Sequence, residues 1–179
     1  MERVEHRLRR AIRVLEHSGI PYAVVDGNAV RIWVAQVDPR AVRATNDVDI
    51  LIRPADLDRL KQAMLEAGFH YRRTLDVDMF VDDELQSPRD AVHVVLSGQM
   101  IHSDDYEANP DVEPYEYGDE FRTLPLEKLV RMKLNSFRLK DKVHLLDMIE
   151  VGLIDAGWCQ RFPDPLRRRL EDLIQNPNQ

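Results

Sequence analysis

The stretch Ala44–Ile52, reading ATNDVDILI, constrains the fold of this chain more than any other. It sets Asp47 and Asp49 into an otherwise apolar, β-type run. Residues two apart on a strand share a face, so both carboxylates point one way and Val48, Ile50 and Ile52 point the other, where a helix should cover them. Burying an unpaired charge costs several kcal/mol. The pair therefore either reaches water at a strand end or is held by something positive. Hard oxygen donors at this spacing suit Mg2+ or Mn2+ bridging to phosphate oxygens. An isolated D-x-D also occurs as an idle, exposed strand end.

The preceding residues sharpen the choice. YAVV at 22–25 is a short apolar strand, Gly27 permits a tight turn, and NAVRIWVAQ follows as a helix with Asn28 as its N-cap. A glycine turn leading into a helix N-terminus presents backbone N–H groups to phosphate. Strand, glycine turn, helix, loop and D-x-D strand, in that order, is a more specific combination than either half.

Elsewhere the pattern is that of a mixed α/β protein. The N-terminal segment predicts an amphipathic helix with Val4, Leu8, Ala11, Ile12 and Leu15 on one stripe, closed by Gly19. Pro54 opens a further helix and Gly68 closes it. FHYRRT, VDMFVD and AVHVVLSG predict strands, with SPRD as a turn before the last. Residues 103–120 carry eight acidic side chains and no basic one, which predicts a solvated loop. Residues 124–155 read as helix broken near Leu139–Asp141, and PDPLRRRLEDLIQ as a closing helix capped by Asp164. On an unbroken helix Lys133, Lys140, His144 and Asp147 would lie within about 60° of one another. The basic segments RLRRAIR and RMKLNSFRLKDK read as solvated helix faces.

The net charge of −7, from 25 basic and 32 acidic residues, argues against general nucleic-acid binding. No apolar run approaches the roughly 18 residues of a membrane helix. The first residues are too charged for a signal peptide. The lone Cys159 precludes an internal disulfide and reads as packing beside Trp158. A cytoplasmic, reducing compartment is the expectation, with no membrane partner.

The motifs VVDGNAVRIW, RATNDVDILI and LEKLVRMKLNSFRLKDKVHLLDMIE, in that order across most of the chain, resemble the nucleotidyltransferase superfamily. Within it they look most like the AbiEii-like group of bacterial nucleotidyltransferase toxins and their relatives. The resemblance implies a small mixed β-sheet flanked by helices over residues 1–122, with a helical portion at 123–179. It implies metal-dependent transfer of a nucleotide from an NTP to an acceptor hydroxyl, with pyrophosphate as leaving group. Asp47 and Asp49 would be catalytic and hold Mg2+ or Mn2+. Gly27, Asn28, Thr45 and Lys133 would contact the nucleotide, and Asp141 or Asp147 would shape its site. The acceptor stays open among RNA, a protein and a small molecule, and an antitoxin-like protein is an expected partner.

Two positions depart from the superfamily pattern. Asn28 stands where a second small residue is usual. His93 stands where a later strand usually carries a third acidic residue. An imidazole there can serve as general base, or mark a site that has lost its chemistry. Asp90 is no substitute, being three residues away on the opposite face. Asp76 and Asp78 repeat the D-x-D spacing without the glycine turn and read as exposed. The alternative function is a non-catalytic nucleotide-binding or interaction module that keeps the fold.

Overall fold

Helix α1 (Glu2–His17) forms where the apolar repeat lies, and all five stripe residues are buried. Burying Val4, Leu8, Ile12 and Leu15 is worth about 1.5–3 kcal/mol each, so the stripe pins this helix to the body. Gly19 then takes a left-handed φ of 61° and turns the chain into β1 (Tyr22–Val24). The structure, a computed structural model, describes residues 2–82, 91–100, 103, 105–118 and 120–177. The predicted SPRD turn and Asp90 lie outside the described residues.

The remaining elements are α2 (Asp26–Val37), β2 (Val48–Ile52), α3 (Leu57–Glu66), β3 (Phe69–Thr74), β4 (Val77–Asp82), β5 (Val92–Leu96), β6 (Glu116–Gly118), β7 (Phe121–Thr123), α4 (Leu126–Ser136), α5 (Leu139–Glu150) and α6 (Asp164–Gln175). Among the described residues the strands make one seven-stranded mixed sheet in the order β3-β4-β5-β2-β1-β7-β6. Strand β2 is central, antiparallel to β1 and parallel to β5. Every residue of β2 is buried, which is why its sequence is almost continuously apolar. Helices α1 and α3 pack on each other, and α1 also touches β2 and β5. Helix α2 packs against β2, α4 and α5. The expected α/β fold, with helices flanking a mixed sheet, is the one observed.

Local expectations fail where packing overrides them. Asn28 is the third residue of α2 and not its cap; the N-cap residue is Val25, with no side-chain cap bond. Gly27 is likewise inside the helix, and the left-handed residue of the turn is Asp26, at φ 50°. The break in the C-terminal helix falls at Phe137, at φ 48°, and Arg138, just ahead of the predicted place. Asp164 begins α6, with Pro163 in the N-cap position.

Asp76 is exposed in a turn, but Asp78 is buried and accepts a hydrogen bond from the Tyr71 hydroxyl. It lies on an interior strand, between β3 and β5. The acidic segment is tied down rather than simply solvated. It contains β6, buries Val112, and offers Asp111 and Glu113 to Arg53 at 2.8 and 2.9 Å. The two basic segments are not wholly solvated either, because Arg7 and Lys133 are each only 3 % exposed. Cys159 is buried in the core, and burial raises its thiol pKa. Among the described residues no helix is long and apolar enough to cross a membrane.

Candidate active site

Strand β2 starts immediately after Asp47, so the D-x-D pair straddles the strand's first residue. Asp47 is half-buried and Asp49 is only 9 % exposed. The Val25 amide donates to the Asp49 carbonyl (3.1 Å), continuing the β1–β2 pairing. The Asn28 side-chain amide donates to the Asp47 carbonyl (2.6 Å), while its oxygen accepts from Arg31 (3.2 Å). Asn28 thus fastens the first turn of α2 to the backbone that carries the carboxylates, and it is 1 % exposed.

On the other side of β2, His93 of β5 is in register with Asp49. Its Nδ1 lies 3.7 Å from Asp49 Oδ1. The second carboxylate oxygen, Asp49 Oδ2, is buried without a hydrogen-bond partner among the described residues. A buried carboxylate oxygen with nothing to bind is costly. It is the kind of atom a cation satisfies. By chemistry two carboxylates and an imidazole suit Mn2+, and carboxylates alone suit Mg2+, but the donor atoms of Asp47, Asp49 and His93 do not all come within 4.8 Å of one another.

Gly27 matters here for space rather than for φ. A Cβ at this position would sit 2.7 Å from Thr45 Oγ1 and 3.1 Å from Thr45 Cβ. Its absence lets the loop before β2 lie directly on the first turn of α2. Arg43 clamps the same loop to α5 through a bidentate pair with Asp147, at 2.9 and 2.7 Å. That pairing raises the Arg43 pKa. Gly27, Arg31, Arg43, Thr45, His144 and Asp147 line a small cleft between α2 and α5. Asp47, Asp49 and His93 do not contribute to its lining.

A second cluster forms around Asp26. Lys133 pairs with both Asp26 and Asp141, the latter at 2.8 Å, and Lys140 reaches Asp26 at 2.6 Å. Arg138 and Ser136 also bind Asp141. Burial would raise the Asp141 pKa, but Lys133 and Arg138 outweigh it and hold the carboxyl well below the usual range. Burial pushes Lys133 down to about 8, still cationic at neutral pH. Asp26, Asp141 and His144 are the one group of ligating side chains among the described residues whose donor atoms lie within 4.8 Å of one another. The Lys133 ammonium already bridges its two carboxylates, so a cation position there is filled by the protein itself.

The expected helical stripe therefore converges without the continuous helix that motivated it. The break at Phe137 folds Lys140 and His144 back beside Lys133, while Asp147 turns to Arg43. Asp26 and Arg43 were not singled out from sequence as site residues, and Lys140 and His144 only as members of that stripe. Asp26 carried one usable signal, an acidic residue between an apolar strand and a glycine. Arg43 carried none beyond its charge.

His144 makes a pH prediction. Burial, then the nearby Lys133 charge, lowers its pKa to about 4. The unfolded imidazole titrates near 6.5, so the unfolded chain takes up the proton first. Stability contributed by the neutral ring is complete above about pH 6.5 and is lost as the pH falls toward 4. Urea unfolding of wild type should show a lower midpoint at pH 5 than at pH 7, with a smaller drop in His144→Asn. Equal drops in the two proteins would exclude His144 as the source.

The seven-stranded mixed sheet with helices packed on it is a nucleotidyltransferase-type fold. Among the solved structures that share it are two of ANT(2'')-Ia. The solution structure of the antibiotic-resistance factor ANT(2'')-Ia matches with a TM-score of 0.52 at 12 % identity, over 96 % of this chain and 83 % of that one. The crystal structure of ANT(2'')-Ia in complex with adenylyl-2''-tobramycin matches with a TM-score of 0.51 at 10 % identity, over 100 % of both chains. At these identities the likeness is one of fold. No protein-family model and no curated protein sequence matches the chain.

Proposed function

We propose that this protein is a metal-dependent nucleotidyltransferase that moves a nucleotide from an NTP to an acceptor hydroxyl. The observation that carries this reading is Asp49 Oδ2, buried without a hydrogen-bond partner among the described residues, with the His93 imidazole 3.7 Å from the other oxygen of the same carboxylate. Asp47 and Asp49 would hold Mg2+ or Mn2+, with His93 as an added ligand for Mn2+ or as the base. When bound, the ion neutralises triphosphate charge and orients the phosphates. The first turn of α2, with Gly27 and Asn28 beside Thr45, offers backbone N–H groups to phosphate. Lys133, paired with Asp26 in that turn, supplies positive charge next to it. His93 takes the acceptor's hydroxyl proton; the acceptor oxygen then bonds to the α-phosphorus as the bond to pyrophosphate breaks. In this division residues 1–122 contribute the carboxylates and 123–179 contribute Lys133, Asp141 and Asp147.

For the acceptor, the presence of adenylyl-2''-tobramycin on a protein of this fold favours a small-molecule hydroxyl. The acidic segment does not decide against RNA, because its Asp111 and Glu113 bind Arg53, which follows the far end of β2. By strand rise that is about 20 Å from Asp47. The motifs favour the AbiEii-like group within the fold. The non-catalytic alternative has its own support: the Asn28 amide is committed to Asp47, and Lys133 is already neutralised.

Labelled NTPs with Mn2+, offered in turn to hydroxyl-bearing small molecules, RNA and protein, test the reading by label transfer and pyrophosphate release. His93→Ala should lower the rate by about 100-fold or more, the usual weight of a general base. His93→Asp should retain activity and favour Mg2+. A wild type that binds NTP but transfers to no acceptor supports the non-catalytic module instead.

A further inference from the structure

The cluster around Asp26 resembles an anion site that is already full. Two lysines from separate helices converge on one carboxylate at the first turn of α2. Lys133 is nearly enclosed, with 4 % of its side chain exposed, while Lys140 is 43 % exposed and leaves a path from solvent. His144 Nδ1, buried and without a hydrogen-bond partner among the described residues, lies 3.7 Å from the same carboxylate. Asp26 holds this position at φ 50°, a backbone conformation uncommon for residues other than glycine. The Lys133, Lys140 and Arg138 cations face two carboxylates, Asp26 and Asp141. With Asp26 withdrawn they face one, and the pocket becomes strongly attractive to an anion beside helix N–H groups.

We propose that Asp26 is a built-in competitor for polyphosphate: its carboxylate occupies the anion subsite formed by Lys133, Lys140 and the first turn of α2, and a triphosphate binds there by displacing it. This rests on the reading of Lys133 as a triphosphate ligand. The Asp26 carboxylate therefore lowers apparent affinity by the fraction of molecules in which it fills the subsite.

Isothermal titration of the full chain with inorganic tripolyphosphate, and separately with ATP and Mn2+, tests this. Asp26→Asn removes the charge and tolerates positive φ, and Asp26→Gly also relieves the backbone, so a folding failure of one leaves the other. Both variants should bind tripolyphosphate about ten-fold or more tighter than wild type. Adding Lys140→Ala should erase the gain. A gain for tripolyphosphate with no gain for ATP upholds the Asp26 role and removes the reading of this subsite as a nucleotide site. Measurable ATP binding that is equal in wild type and Asp26→Asn, with no gain for tripolyphosphate, upholds the nucleotide reading and overturns the Asp26 role. No gain for either ligand in folded variants overturns it as well.

Discussion

Mn2+ at about 100 times its Kd is expected to raise the melting temperature of the wild-type protein by about 5–10 °C, and Asp49→Asn to abolish the rise. A ligand that binds only the folded state at that excess adds about 2.7 kcal/mol. For a chain of this size each kcal/mol moves the melting temperature by roughly 2–4 °C. The prediction follows from Asp49 Oδ2, an oxygen sealed from water with no donor among the described residues. An ion bound there gains a ligand that is already dehydrated. The neutral amide of Asp49→Asn is cheaper to bury than a carboxylate, so the metal-free variant should remain folded and only the response should vanish. Differential scanning calorimetry with and without Mn2+ decides it. An undiminished response in Asp47→Ala/Asp49→Ala would locate the ion elsewhere.

Lys133→Met should cost about 3–5 kcal/mol, the penalty for removing one member of a buried charge pair. The methionine fits the volume but leaves Asp141, 1 % exposed, and Asp26 without the ammonium between them. Arg138 and Lys140 remain, so the protein should still fold at neutral pH. Adding Asp141→Asn should restore part of the loss, because the neutral amide no longer needs the cation. The interaction energy from this double-mutant cycle should exceed about 1 kcal/mol. Urea unfolding midpoints of the four proteins supply the numbers. Strict additivity would mean that Lys133 and Asp141 do not stabilise each other.

Both predictions concern charges in buried places, and the two were unequally visible beforehand. Asp47 and Asp49 stand out because alternation on a strand is strict: two carboxylates among Val48, Ile50 and Ile52 break a pattern that needs no partner to define it. Their link to the turn of α2 was legible as an order of motifs, but not as the Asn28–Asp47 bond or the 2.7 Å approach that requires Gly27. Lys133 was legible as a nucleotide contact through the resemblance and as part of a basic helix face, but not as a buried cation between Asp26 and Asp141. Its burial depends on the chain reversing at Phe137, an aromatic residue in a left-handed conformation that no local preference announces. Asp78 read as exposed because nothing within VDMFVD says that β4 is interior.

Residues 4–15, 22–25 and 48–52 specify their own structure, because a helix stripe or an apolar strand is set by neighbours within a turn or two. These runs determined an α/β protein with a carboxylate pair at the head of a buried strand. What surrounds that pair was decided across the whole chain. His93 meets Asp49 through strand pairing, and Lys140 meets Asp26 across 114 residues. Charges are paired or left unpaired by whichever elements the core brings together, and that choice is made by packing the sheet against α2, α4 and α5. The sequence therefore shows which residues carry the chemistry, and the tertiary structure decides which of them face a ligand and which already hold one another.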